Sequence, residues 1–321
     1  MATKLSDEAF ILAWNNCGGS PAAVSRALGV TERSVYRRRE ALAGKGHVLQ
    51  TIPARASAAG ADSGWQDVGR AYKRQNNHHL QDGTVIVFSD AHWWPNQPKT
   101  PSHLALLRLC RDLRPSIVIA NGDVFDGARV TRHPPMGWVE PPTVKEELDI
   151  CDEYLHEIRL AADPKRCAFY WNMGNHDQRF DRTLAMQAAD FGGTVDRLPD
   201  RFSDWDFAWS LAINGNVMIK HRYHNGIHAG YNNTLKAGWS IVTGHLHRLL
   251  VTPWADYNGR RWGVDTGTLS DPLAPQFEYG ENNPTPHTSG FAVLTFKNGM
   301  LLPPELVEVI NGRAYFRGDE V

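Results

Sequence analysis

Seven side chains able to ligate metal stand in a fixed order along this chain, each at or just past the end of an apolar, strand-like run. Asp90 and His92 follow TVIVF, and Asp123 follows SIVIA. Asn175 follows CAFYW with His176 beside it, His221 follows VMIK, and His245 and His247 follow SIVT. Runs of this kind read as strands buried on both faces of a layered α/β domain. Open sheets of that class place their chemistry beyond the carboxyl ends of the strands. Five strands bringing Asp, His and Asn to one edge describe a centre for two metal ions.

Length and charge bound the rest. A chain of 321 residues can bury a sizeable core and hold more than one unit. No apolar stretch nears the roughly 20 residues of a membrane helix. The N-terminus, MATKLSDEAF, lacks the apolar core of a secretion signal. The expectation is therefore no membrane partner and a cytoplasmic location. Four cysteines without a CxxC pairing read as reduced thiols. The formal net charge of −1 hides an asymmetry: residues 1–82 hold 11 Lys/Arg and 7 Asp/Glu, the remainder 23 and 28. Any electrostatic preference for nucleic acid belongs to the N-terminal part.

Three organisational segments follow. Residues 1–50 read as a small all-helical domain of three helices. Phe10, Ile11 and Trp14 share a face of the first, and Ser20-Pro21 caps the second, which Gly29 ends. Thr31 caps a third helix carrying Arg33, Arg37, Arg38 and Arg39. A short Gly-containing turn before an Arg-rich helix suggests a helix-turn-helix with its second helix in the major groove. Arg33, Arg37 and Arg38 are then the nucleic-acid-binding candidates and DNA the partner. A helical cap or a homodimerisation unit is the bland alternative. Residues 51–82, rich in Ala, Gly, Ser, Gln and Asn, read as a linker. Residues 83–321 form the third segment. Helices are predicted at 101–113 and at 143–161, the latter opened by the capping box Thr143-x-x-Glu146. FAVLTF and the strand-like residues near 305–316 suggest a second, more antiparallel layer.

Written as motifs, the constellation is Asp90-Ala-His92, Gly122-Asp123-Val-Phe-Asp126, Gly174-Asn175-His176-Asp177, His221 and Gly244-His245-Leu-His247. Each is weak alone. In this order, each closing a strand, the set resembles the calcineurin-like metallophosphoesterase superfamily over about 230 residues. The resemblance implies a four-layer α/β/β/α sandwich behind the helical domain. It also implies that Asp90, His92 and His247 hold one metal, that Asn175, His221 and His245 hold the other, and that Asp123 bridges them. His176 would protonate the leaving group, oriented by Asp126. The stretch SRALGVTERSVYRR resembles DNA-binding helix pairs of small phage and transposase-type regulators, and the domain combination looks phage-encoded, which would make the location the host cytoplasm.

The residue types suit that chemistry on their own terms. A carboxylate can bridge two cations about 3.5–4 Å apart. Imidazole, carboxylate and amide donors without a thiolate suit borderline divalent ions such as Mn²⁺, Fe²⁺ or Zn²⁺, and Mn²⁺ is the ion expected. Two such ions with two carboxylates leave about +2 on the site, which attracts phosphate and acidifies a water for in-line attack. An imidazole held by a carboxylate is a serviceable acid near neutral pH. His224 and His228 lie near His221 and compete with it for the ligand role. Asp177 is expected to shape its turn. His78, His79, His103 and His133 are expected on the surface or in loops.

The substrate is less legible. Protein phosphatases of the superfamily usually carry Arg after the second Asp of the GDxxD element. Here Gly127-Ala128 stands there, and GNHD replaces GNHE, which brings the chain nearer the phosphodiesterase and DNA-repair nuclease branch. In the Pro-rich loop 127–142, Arg129 and Arg132 are candidate phosphate contacts and Trp138 a base-stacking one; the alternative is a rigid surface loop. The segment 253–290, with Trp254, Tyr257, Trp262, Phe277 and Tyr279, is expected to wall the cleft. Together these predict a two-metal phosphodiesterase, a DNA nuclease brought to DNA by its helical module. The alternatives are a phosphomonoesterase acting on proteins or small molecules, and a DNA-binding accessory protein with a dormant catalytic domain.

Overall fold

In the computed structural model of this chain, residues 6–17, 21–45, 47, 49, 71–131 and 140–321 are described. The chain divides into two compact units between Gln66 and Asp67.

The first unit has the three predicted helices. Helix α1 (Asp7–Asn16) starts where Ser6 Oγ accepts the Ala9 amide at 3.1 Å. Helix α2 (Pro21–Leu28) stops at Gly29, whose φ of +63° is a left-handed conformation that glycine adopts freely. Helix α3 (Glu32–Gly44) follows, with Thr31 Oγ1 accepting the Ser34 amide at 3.3 Å. The expected cap Ser20 lies outside the described residues. Phe10, Trp14, Val24, Val35 and Leu42 bury one another. Asp7 accepts from Arg38 at 2.9 Å and from Lys45 at 2.5 Å, which ties α1 to the third helix.

The second unit is built on strands whose alternate side chains enter different cores. Strand β1 (Asn76–His78) lies inside the stretch expected to be linker, and it pairs with a later strand. Polar Asn-Asn-His gives no hydrophobic pattern, because β1 is only a half-buried edge strand. The linker reading is thus corrected for residues 71–82; residues 51–70 lie outside those described. Strands β2 (Gly83–Phe88), β3 (Ile117–Ala120), β4 (Ala168–Asn172) and β5 (Asp206–Ala208) run parallel. Strands β6 (Leu211–Ile213), β7 (Val217–Ile219), β8 (Ser240–Thr243), β9 (Leu249–Asp256) and β10 (Gly259–Thr266) join β1 in a six-stranded sheet of order β1-β6-β7-β8-β10-β9.

The C-terminal strands correct a second expectation. Strands β11 (Gly290–Lys297), β12 (Met300–Leu301), β13 (Glu305–Ile310), β14 (Arg313–Phe316) and β15 (Asp319–Glu320) do not form a layer of their own. β11 pairs antiparallel with β2, Ala292 opposite Val87, and extends the first sheet to nine strands. The edge of β2 left open by β3 offers unpaired amides and carbonyls, which β11 satisfies.

Four layers result. Val85, Val87, Ile117 and Ile119 meet Leu211, Ile213, Val217 and Val242 between the two sheets. The alternate residues Ile86, Phe88, Val118 and Trp171 pack on the other face against α4 (Pro101–Leu113) and α5 (Val144–Ala162). Both helices have the expected bounds to within a residue, and the Thr143–Glu146 capping box is formed. Helices α6 (Asp177–Gln187) and α7 (Leu198–Arg201) follow β4, and α8 (Ala229–Ala237) packs on β8, β9 and β10. This is the α/β/β/α sandwich. His103, expected on the surface, is buried in α4 against Trp93 and Tyr154. Among the described residues no helix is long and apolar enough to cross a membrane.

Candidate metal centre

β2, β3 and β4 belong to one sheet and β7 and β8 to the other. The centre therefore straddles two facing sheets rather than lying on a single edge. Asp90, His92 and His247 have ligand atoms within 4.8 Å of one another, and so do Asp123, His221 and His245. A third such grouping joins His92 and His176 to Asp123, so Asp123 reaches toward both sets. His221 Nε2 lies 3.1 Å from Asp123 Oδ2, and His247 Nε2 lies 3.1 Å from Asp90 Oδ1. Neither His224 nor His228 enters a grouping.

The backbone is bent to achieve this. Asp90, His92, Asp123, His245 and His247 all have left-handed φ, between 42° and 72°. Left-handed non-glycine residues cost roughly 1–3 kcal/mol each and persist where the surroundings over-determine them. The motif glycines provide the room. A Cβ at Gly122 would fall 2.5 Å from the His221 ring, and one at Gly174 would fall 2.0 Å from Asp123 Oδ1. Gly is thus required by close approach at both positions.

Second partners fix which nitrogen faces the centre. His221 Nδ1 donates to the Asn121 carbonyl at 2.8 Å, and His92 Nδ1 meets Asp126 Oδ1 at 2.9 Å. In both, Nε2 is the nitrogen left to face the centre, the arrangement by which outer groups orient metal-ligating histidines. His92 Nε2, His221 Nε2 and the Asn175 carbonyl oxygen are buried without a hydrogen-bond partner. Buried polar atoms are seldom left so, and three of them on residues close to the buried Asp90 and Asp123 fit a divalent cation. Burial penalises a charge on His221, yet Asp123 and Asp90 outweigh it and lift the imidazole to about 9, so a cation at Nε2 would displace a proton held there beside Asp123. The cluster attracts positive charge.

Asp177 shapes the turn as expected. Fully buried, it accepts from the amides of Asp123, Val124, Phe125 and Gly174 and from Trp171 Nε1, at 2.9 to 3.2 Å. It clamps the Asp123 loop to the Asn175 loop. Asp126 does more than expected: it holds His92 and also meets His176 Nδ1 with its Oδ1 at 3.1 Å and its backbone carbonyl at 2.8 Å.

The family model described as "Calcineurin-like phosphoesterase" matches residues 83–266. The chain belongs to that family. This phosphoesterase is accordingly a metal-dependent hydrolase of phosphoric esters. It is 33% identical over 243 residues to "Gene 54 protein" of Mycobacterium phage L5, a match covering 65% of this chain and 88% of the relative. Among solved structures, wild-type Vps29 complexed with Zn²⁺ from Entamoeba histolytica is 12% identical, covering 74% of this chain and 98% of that one, with a TM-score of 0.40. A Pseudomonas putida nuclease MPE is 10% identical, covering 72% and 86%, with a TM-score of 0.32.

Other candidates are placed differently. Arg129 is turned to its own loop, donating to the Pro141 and Pro142 carbonyls and lying 3.7 Å from Glu140. Both of those bonds come from its Nε–H. Arg132 and Trp138 lie outside the described residues. Of the expected aromatic wall, Phe277 reaches the phosphoesterase centre, 5.4 Å from the His92 ring and 5.2 Å from that of His247. Trp262 is buried between the sheets, Tyr257 is fully exposed and Trp254 packs on Tyr231; nothing is described of the Tyr279 side chain. On the helical unit Arg33 and Arg37 are exposed, while Arg38 is held by Asp7.

Two residues at the centre escaped the sequence reading. Arg179 donates to the Asp126 carbonyl at 2.9 Å and approaches His176 Nε2 at 3.0 Å. A guanidinium only donates, so His176 carries its proton on Nδ1 in this arrangement. The signal was its position three residues after His176 on a helix that opens at the motif. His287 packs at a tilt against the His247 ring, with centroids 4.7 Å apart. It lies in an irregular segment, where no periodicity marks it.

Proposed function

We propose that this phosphoesterase hydrolyses phosphodiester bonds of nucleic acid, as a DNA nuclease or phosphodiesterase brought to DNA by its N-terminal helices. The observation that carries the reading is Asp123, a carboxylate within reach of two ligand sets, with His176 Nε2 standing 3.9 Å from its Oδ2. Asp90, His92 and His247 would hold one cation, Asn175, His221 and His245 the other, and Asp123 both. Their mixed donors, with no thiolate, suit borderline divalent ions, which we take to be Mn²⁺, with Fe²⁺ or Zn²⁺ as alternatives. When bound, such ions neutralise phosphate charge and acidify a water for displacement at phosphorus.

The chain's own groups do the rest. Asp126 fixes the His176 ring through Nδ1, so that Nε2 faces the leaving oxygen. Burial opposes an imidazolium there, but Asp123 and Asp126 prevail and raise its pKa. The proton can then be held at His176 until the ester oxygen departs. Donation from Nε2 requires Arg179 to turn aside, toward the incoming phosphate.

Gly127 supports a diester over a phosphoprotein substrate. With φ of +69° and a notional Cβ 3.0 Å from the Phe125 ring, it is ill suited to the arginine that protein phosphatases carry there. Exposed Arg33 and Arg37 on α3 support DNA as the partner. The phage L5 relative supports a phage-encoded setting, with its substrate in the host cytoplasm.

The test compares bis-p-nitrophenyl phosphate with p-nitrophenyl phosphate under Mn²⁺ and Mg²⁺, then single-stranded, double-stranded and hairpin DNA. A higher kcat/KM on the diester and cleavage of DNA are expected. Preference for the monoester turns the reading to a phosphomonoesterase. Inertness of metal-loaded protein on all of them turns it to a DNA-binding accessory protein.

A further inference from the structure

Beside the centre lies a cleft of about 520 Å³ whose charged lining, among the described residues, is Arg179, Arg182 and Arg222, with no carboxylate. That volume falls within the range of pockets that enclose small ligands. The cleft shares Asn175 with the ligand cluster, so a molecule in it adjoins the reacting position. Arg179 is the guanidinium resting on His176. Arg222 directly follows the ligand candidate His221, and its charge is felt at His245. Arg182 and Arg222 are exposed, and among the described residues neither guanidinium has a hydrogen-bond or ion-pair partner. On α6, Arg179 and Arg182 are three residues apart, on one side of the helix.

Two unpaired guanidiniums and a third nearby, in one concavity without a counter-charge among the described residues, describe a place for an anion. Planar forks of N–H donors match phosphate oxygens two at a time. We propose that this cleft is a subsite for a second phosphate of the substrate, the group one nucleotide away from the scissile diester. It makes the enzyme select nucleotide chains over isolated diesters. The inference rests on the phosphodiesterase reading and adds the feature of the substrate that is recognised.

Thymidine 5′-(p-nitrophenyl phosphate) and its 3′-phosphorylated form share a scissile bond and a leaving group, and differ only in the second phosphate. Nitrophenol release by the Mn²⁺-loaded full chain compares them directly, and the pair with 3′ and 5′ exchanged covers the opposite polarity. In one pair the doubly phosphorylated ester is expected to have at least about tenfold higher kcat/KM. R182E and R222E should each collapse that ratio, while R182K and R222K, which keep the charge, should retain most of it. Equal kcat/KM within both pairs, or a preference that survives both glutamate variants, overturns the subsite. If the wild type releases nitrophenol from neither pair, the diesterase reading is what fails. Calorimetry with thymidine 3′,5′-bisphosphate on the same metal-loaded protein then decides the cleft. Binding lost in R182E and R222E keeps it as an anion site; no binding, or binding equal in all forms, overturns it.

Discussion

The centre and the helical unit offer polar side chains in opposite ways. At the sheet ends the ligand candidates are mostly buried, five of them on left-handed backbone, and the far nitrogens of His92 and His221 are already engaged. On α3, Arg33 and Arg37 stand in solvent on an ordinary helix, outside the cluster of Phe10, Trp14, Val24, Val35 and Leu42. One region spends folding energy to hold a geometry; the other presents charge on a surface that costs the fold almost nothing. Substitutions in the first should therefore act on metal and turnover, and those in the second on affinity alone.

The strongest way to break that contrast is Asp123→Asn. An amide keeps the shape but bridges two cations poorly, since it contributes no charge. Metal content is expected to fall from about two ions per chain toward one or fewer, with activity lost in proportion to the depleted protein. Undiminished metal by elemental analysis removes Asp123 from the bridging role. His176→Ala sharpens the contrast from within the centre. His176 belongs to neither predicted ligand set, so its loss should leave metal content alone and lower kcat by about 10²–10⁴ on alkyl phosphodiesters. The loss should be smaller on p-nitrophenyl esters, whose leaving group needs little help. Equal losses on both classes would take away the acid role.

The difference between the regions also explains what was legible in the sequence. Strand ends and ligands could be read together because β2, β3 and β4 are buried on both faces, and an unbroken apolar run ending in Asp, His or Asn has few other uses. The glycines of GD and GN were visible as motif letters; their cause, the space taken by His221 and Asp123, needed the fold. Sheet membership was hidden, because β7 and β2 look alike in sequence and only pairing separates them. β1 was missed since an edge strand of Asn-Asn-His carries no pattern at all. Arg179 was missed because nearness in sequence to Asp126 does not decide what meets it: the Nε–H of Arg129 turns to Pro141 and Pro142, and α6 brings Arg179 to the Asp126 carbonyl. Arg38 looked like its neighbours until Asp7, 31 residues away, claimed it.

That last distinction yields the gentlest prediction. If α3 meets DNA through its exposed side, Arg33→Ala and Arg37→Ala each remove a contact to a phosphate, and Arg38→Ala removes a tie to Asp7. The first two should weaken DNA binding several-fold at moderate salt and flatten the slope of log K against log salt by about 0.9 each. Arg38→Ala should instead lower the thermal midpoint of the helical unit. That cost is modest, because the Arg38–Asp7 pair is partly exposed and such pairs contribute only about 0–1 kcal/mol. Hydrolysis of bis-p-nitrophenyl phosphate should stay unchanged in all three, since each lies in the unit that ends at Gln66. A salt slope that ignores Arg33 and Arg37 but responds to Arg38 would invert the assignment and place the DNA-facing side of the helix a quarter turn away.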